Sequence, residues 1–145
     1  MDPDLNGSEF NAGVLNDHDL LVGGIVDVVV ENRAQARRWA RMVELFGRQP
    51  DTEGHFAMTA REWTALKVSE AWAIGDRQAR HELNVALFLD EHLPAVWELC
   101  RAGAVDRARV LVIVDILRHR LDDPADWQRC GERVAAYLVK HLRGG

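Results

Sequence analysis

Apolar positions recur at alternating spacings of four and three between residues 17 and 47. The register of this first row continues as far as Phe46, although Asn32 and Gln35 place amides in its middle, and a companion row follows from Val22 at intervals of seven. Such spacing places apolar side chains along one side of an α-helix, as in a heptad repeat. The pattern therefore predicts one continuous helix over residues 17–47, roughly 45 Å long.

Two features of this segment favour a strand instead. Gly23 and Gly24 each cost a helix about 1 kcal/mol, and the run IVDVVV is rich in β-branched residues. The unbroken register makes the helix the stronger prediction. We call the row at four-three spacing the seam of this helix. The seam is longer than the short helices that follow can cover, so we predict that the helix pairs with a second copy of the chain. The seam residues assigned to this contact are Leu21, Ile25, Val28, Trp39, Met42 and Phe46.

Helix-start and helix-stop signals divide the rest of the chain into five shorter helices. The signals are a Thr59–Glu62 capping box, N-caps at Asp76, Asp106 and Asp123, first-turn prolines at Pro94 and Pro124, and terminating glycines at Gly75 and Gly103. Residues 47–58 contain two glycines and a proline and are predicted to form a loop. The helix after Asp106 is apolar nearly all round, which predicts a central buried element. The predicted fold is an all-α bundle of about six helices.

The size and composition of the chain suit one domain in a reducing compartment. A chain of 145 residues that is 48% apolar can form a single core. Residues 1–10 include GSEF and are predicted to be a disordered or vector-derived tail, which leaves residues 11–145 as a single helical domain. Cys100 and Cys130 show no CxxC spacing, and the apolar run LLVGGIVDVVV is about half the length of a membrane span. We expect a soluble cytoplasmic protein without a membrane partner.

One stretch, AIGDRQARHEL at residues 73–83, resembles the corner of a helix-turn-helix element. Four polar side chains share a face of its second helix: Arg77, Arg80, His81 and Asn84. Arginine and asparagine are the side chains that read guanine and adenine edges. Lys+Arg of 18 against Asp+Glu of 23 gives a net charge of -5, so contact with duplex DNA would have to be local. The alternative is that these residues form the solvated end of a packed helix.

The sequence offers little to carry catalysis. HELNV begins like a zinc-protease helix, but Val85 stands where the second ligand is needed. Asp115 and His119 lie four apart on one helix face, a spacing more typical of a surface ion pair than of a metal site. We find no nucleophile motif and no glycine-rich phosphate loop. We therefore expect no enzymatic activity, metal, cofactor or small-molecule substrate.

The run SEAWAIGDRQARHELNVALFLDEHLPAVWELCRAGAVDRARVLVIVDIL resembles the actinobacterial domain of unknown function 222. The features that carry the resemblance are a polar helix, the Leu93–Pro94 helix start, Leu99 followed by the Ala102–Asp106 corner, and a long apolar helix. In that family, which includes mycobacterial repetitive-element proteins, this helical region usually precedes an HNH nuclease domain. The chain ends at HLRGG before such a module, so we expect a fragment or short member without the nuclease chemistry.

Two hypotheses about function follow. The first is a non-catalytic helical accessory domain of an HNH-endonuclease-like protein that positions or binds DNA through the arginine face. The second is a helical dimerisation or protein-interaction module that makes no contact with nucleic acid.

Overall fold

A computed structural model of the protein describes residues 10–49 and 58–143. These residues form a short 3-10 turn at Ala12–Val14 and six α-helices, with no strand among them. The helices are α1 (Asp17–Gly47), α2 (Ala60–Trp72), α3 (Asp76–His92), α4 (Pro94–Arg101), α5 (Arg107–Arg120) and α6 (Pro124–Arg143). The all-α prediction is confirmed. The predicted tail falls almost entirely, and the predicted loop mostly, outside the described residues.

The predicted long helix is confirmed as α1, a continuous helix of 31 residues. It begins at the N-cap Asn16, whose side chain accepts a hydrogen bond of 2.8 Å from the amide of Asp19. Its second half packs into the bundle, where Ala36, Trp39 and Met42 are buried. None of the residues from Asp17 to Val28 is buried, so the two halves of the helix have different environments.

The central element of the bundle is α3, which contacts each of the other five helices. Eight of its residues are buried. The prediction that α5 is the central helix is wrong, because α5 leaves Val112 57% and Ile116 47% exposed. A helix that is apolar all round can still bury only one of its faces, and sequence alone does not show which neighbours are available.

A buried carboxylate joins three of the helices. Glu82 on α3 is only 3% exposed. It accepts a 2.5 Å hydrogen bond from Trp39 Nε1 on α1 and a 2.6 Å hydrogen bond from Arg107 Nε on α5. The second guanidinium nitrogen of Arg107 also contacts the carboxylate. No local pattern in the sequence marks Glu82 as buried, although a buried carboxylate requires partners of this kind.

Most of the predicted helix boundaries are confirmed. The side chain of Thr59 caps α2, that of Asp106 caps α5, and Pro94 opens α4. Two boundaries were wrong. Helix α2 ends at Trp72, where Ala73 adopts a left-handed conformation with φ of 55°, rather than at Gly75. Gly75 is then the N-cap of α3 and Asp76 its first residue. The turn before it already closes because the Ser69 hydroxyl donates to the carbonyl of Ile74, whose amide donates to the carbonyl of Ser69.

The corner between α4 and α5 lies directly against α1. Asn32 Nδ2 donates to the carbonyl of Gly103 and Arg33 Nε to that of Ala102, both at 3.2 Å. Gly103 has φ of 77°, and a Cβ added there would lie 2.8 Å from the carbonyl oxygen of Val29. Only glycine satisfies both the backbone conformation and the close approach. This corner holds the middle of α1 to the end of α4.

We expect Gly103→Ala to destabilise the protein by about 3 kcal/mol, since strain at positive φ and the clash with α1 add together. The matched control is Gly47→Ala at the end of α1, where an added Cβ meets nothing within 4 Å. That control should be neutral or slightly stabilising. Urea unfolding of the two variants measures the difference, and equal midpoints would contradict the proposed packing of the corner.

We expect Arg107→Met to cost about 3 kcal/mol, because it leaves the buried Glu82 carboxylate without its cation. The control is Arg120→Met, which removes an exposed arginine from the end of the same helix and should change stability by no more than about 0.5 kcal/mol. Thermal and urea unfolding are the measurements. If both variants unfold together with the unmodified chain, Glu82 does not depend on Arg107.

Candidate interaction surfaces

The first candidate surface is the apolar segment of α1, residues 20–30. Seven of its side chains are between 40% and 71% exposed, namely Leu20, Leu21, Val22, Ile25, Val26, Val28 and Val30. The only charged residue in this segment is Asp27. Scattered apolar residues are normal on a protein surface, but contiguous apolar patches mark sites of interaction.

A groove of about 930 Å³ runs along one side of this segment. Leu21, Ile25 and Val28 form its α1 wall, while the corner at Gly103 and the end of α6 supply the rest. Asp106 and Arg109 also line the groove, and their side chains are joined by a 2.7 Å ion pair. Partial burial acts to raise the pKa of Asp106, but hydrogen bonds from the side chain and amide of Arg109 outweigh it and lower the pKa below its ordinary value.

The structure divides the six residues of the predicted seam into two groups. Leu21, Ile25 and Val28 line the groove and are exposed. Trp39 and Met42 are 1% and 2% exposed in the chain's own core, and the half-buried Phe46 packs against that core. The predicted seam therefore needs correction, because its second half is covered by the same chain. A heptad pattern shows that a face is buried but not which partner buries it.

The second candidate surface includes the predicted arginine face of α3. Arg77, Arg80 and His81 are exposed, and Asn84 is half-buried. The structure adds Arg61 from α2, whose Nη1 donates a hydrogen bond of 2.5 Å to Asn84 Oδ1. We call these five residues the arginine surface. Sequence reasoning missed Arg61 because no local spacing links it to Asn84, which follows 23 residues later.

The arginine surface is bounded by acidic and aromatic side chains. Glu62 and Asp76 line the same shallow depression as Arg80, so they weaken the positive potential there. One turn beyond Asn84 the ring of Phe88 is buried and meets Trp127 edge-on at 4.9 Å. On this face of α3, only the first turns are therefore open to a partner.

The turn between α2 and α3 consists of three residues, Ala73 to Gly75. Helix pairs joined by turns of this length occur in helix-turn-helix elements, where residues at the start of the second helix face the DNA. In this chain that position is occupied by Arg77, Arg80 and His81. The local geometry is compatible with contact to DNA, and it is equally compatible with a solvated corner.

The remaining titratable groups form ordinary surface or core contacts. His119 Nε2 lies 3.1 Å from Asp115 Oδ1, and the two side chains are 72% and 71% exposed. Within residues 10–49 and 58–143, no group of three or more potential ligands could hold a metal ion.

Burial raises the pKa of the Cys100 thiol to about 12, so this cysteine is a poor nucleophile at neutral pH. No helix in the described part of the chain is long and apolar enough to cross a membrane.

Comparison with known proteins identifies a family. No curated protein and no solved structure matches the chain. The family model described as domain of unknown function (DUF222) matches residues 26–143, which include most of α1 and all the helices that follow. The resemblance noted in the sequence is confirmed over this range, which covers well over half of the chain. The chain therefore belongs to the DUF222 family.

Proposed function

We propose that the chain is a non-catalytic helical domain that contacts duplex DNA through the arginine surface. The resemblance to domains that precede HNH nucleases suggests an accessory role beside DNA cleavage. The observation that carries the proposal is that Arg61 from α2 and Arg80 of α3 line one depression together with Asn84, while Arg77 and His81 are exposed in the first turns of α3. These side chains lie at a corner whose length suits a helix-turn-helix element.

The chemistry of the arginine surface favours phosphate contact over base reading. Asn84 is half-buried and its Oδ1 already accepts a hydrogen bond from Arg61, so its amide is less available for an adenine edge than that of a free, exposed asparagine. Guanidinium groups bind phosphate oxygens by charge and paired hydrogen bonds without regard to sequence. The proposed contact is therefore mainly electrostatic and shows little sequence preference.

The charge of the chain limits the strength of this contact. The net charge is -5, and Glu62 and Asp76 lie close to Arg80. If the three arginines each neutralise one phosphate, the logarithm of the binding constant should fall with the logarithm of salt concentration with a slope of about -3. Binding is then measurable only at low ionic strength.

The test replaces Arg61, Arg77 and Arg80 together with alanine and measures binding to a fluorescent duplex by anisotropy at several salt concentrations. We expect the salt slope to fall by about one for each arginine removed. The matched control removes the same charge elsewhere by replacing the exposed residues Arg41, Arg120 and Arg133 with alanine. This second triple variant should bind as the unmodified chain does.

Two outcomes would contradict DNA contact at this surface. The first is that the unmodified chain shows no binding at the lowest salt concentration. The second is that the two triple variants lose affinity equally. Equal loss would mean that any exposed arginine contributes to DNA binding and that the chain has no defined DNA-binding site. Thermal unfolding of each variant separates lost binding from lost folding.

A second candidate function is supported by a different observation. The exposed apolar segment of α1 favours a helical association module that makes no contact with nucleic acid. In this case the chain would bind no duplex at any salt concentration, and both triple variants would behave like the unmodified chain. The two functions use separate helices and can coexist.

A further inference from the structure

We propose that two copies of the chain associate through the apolar segment of α1, antiparallel about a two-fold axis near Gly24, with the segment of each copy lying in the groove of the other. This inference rests on the second candidate function and does not depend on DNA contact. It names the partner as a second copy and assigns the orientation of the pair.

The two glycines of the segment indicate how closely a partner approaches. Gly23 and Gly24 each cost a helix about 1 kcal/mol relative to alanine. Among residues 10–49 and 58–143, a Cβ added at either position would meet nothing within 4 Å beyond the backbone of its own helix. Packing inside one copy therefore does not require them. Gly24 lines the groove, and the absence of a side chain there leaves room for the backbone of a partner helix.

A second copy covers more apolar surface than a single docked peptide would. In a two-fold dimer each chain supplies both the segment and the groove, so the same contact forms twice. The groove is lined by Leu99, Leu138 and Val139 in addition to the α1 residues. A stable interface needs roughly 800 Å² from each partner, which one helix face cannot supply without such a groove.

The charges that flank the segment favour the antiparallel orientation. Asp17 and Asp19 stand at the start of α1, and Arg33 and Arg37 follow the segment. A parallel pair would place each of these beside its own like charge. An antiparallel pair centred near Gly24 places Asp17 level with residues 31–33 of the other copy, where the opposite charges of Glu31 and Arg33 offset each other. The antiparallel pair thus avoids the like-charge contacts of a parallel pair.

Association is tested first by light scattering from micromolar to millimolar protein in the absence of DNA. We expect the unmodified chain to dimerise and Ile25→Asp to weaken dimerisation by at least about 100-fold, because the two-fold contact loses this side chain twice. The matched control is Val112→Asp on α5. The two side chains are similarly exposed, at 64% and 57%, so neither change should unfold the monomer.

The orientation is tested by disulfide formation in a Cys130→Ser background, where the remaining native thiol of Cys100 is buried. We expect Ile25→Cys to cross-link to itself because it lies near the axis. Leu21→Cys and Val28→Cys should not cross-link alone but should do so when mixed. In a parallel pair each of the three variants would cross-link alone.

The outcomes separate the two levels of the proposal. A parallel cross-linking pattern would overturn the antiparallel arrangement and leave association through α1 in place. An unmodified chain that stays monomeric at the highest concentration would overturn both. A monomer that instead binds vesicles of mixed neutral and anionic phospholipid would overturn the dimer and identify a lipid surface as the partner of the segment.

Discussion

The Glu82 carboxylate ties the second half of α1 to the rest of the bundle. Removing a carboxylate from water carries a large desolvation cost, which is offset only when charged and hydrogen-bonding partners surround it. Trp39 and Arg107 supply these partners from α1 and α5. Because the Trp39 hydrogen bond fixes the rotation of α1, Met42 follows into the core one turn later. The packing of three helices thus depends on one buried carboxylate on α3.

The same anchoring explains why the first half of α1 stays at the surface. Asn32 and Arg33 donate hydrogen bonds to the corner between α4 and α5. Among the described residues, these are the hydrogen bonds nearest the N-terminus of α1 that join it to another helix or corner. Before this corner, the apolar segment is exposed and forms one wall of the groove. Helix α3 is divided in a similar way, since its middle carries Glu82 while its exposed start carries Arg77 and Arg80. In both helices, a part held in the core adjoins a part that is open to a partner.

The sequence predicts those structural features, such as helix bounds, that depend on residues close together in the chain. The bounds of α1 follow from its period, and the end of α4 follows from the glycine at position 103. Contacts between distant residues leave no such local signal. The partner of Trp39 is Glu82, 43 residues away, and sequence spacing alone would assign Trp39 equally well to a dimer seam. Arg61 joins the arginine surface only because α2 folds back along α3.

Amide hydrogen exchange along α1, measured at low and high protein concentration, tests the division of this helix most directly. Local opening reports which amides are held by tertiary contacts. We expect residues 36–46 to be strongly protected at every concentration, and residues 20–30 to exchange rapidly when dilute and to become protected as the concentration rises. Equal protection of both segments at the lowest concentration would contradict the division, since it would mean that the chain itself holds α1 along its whole length.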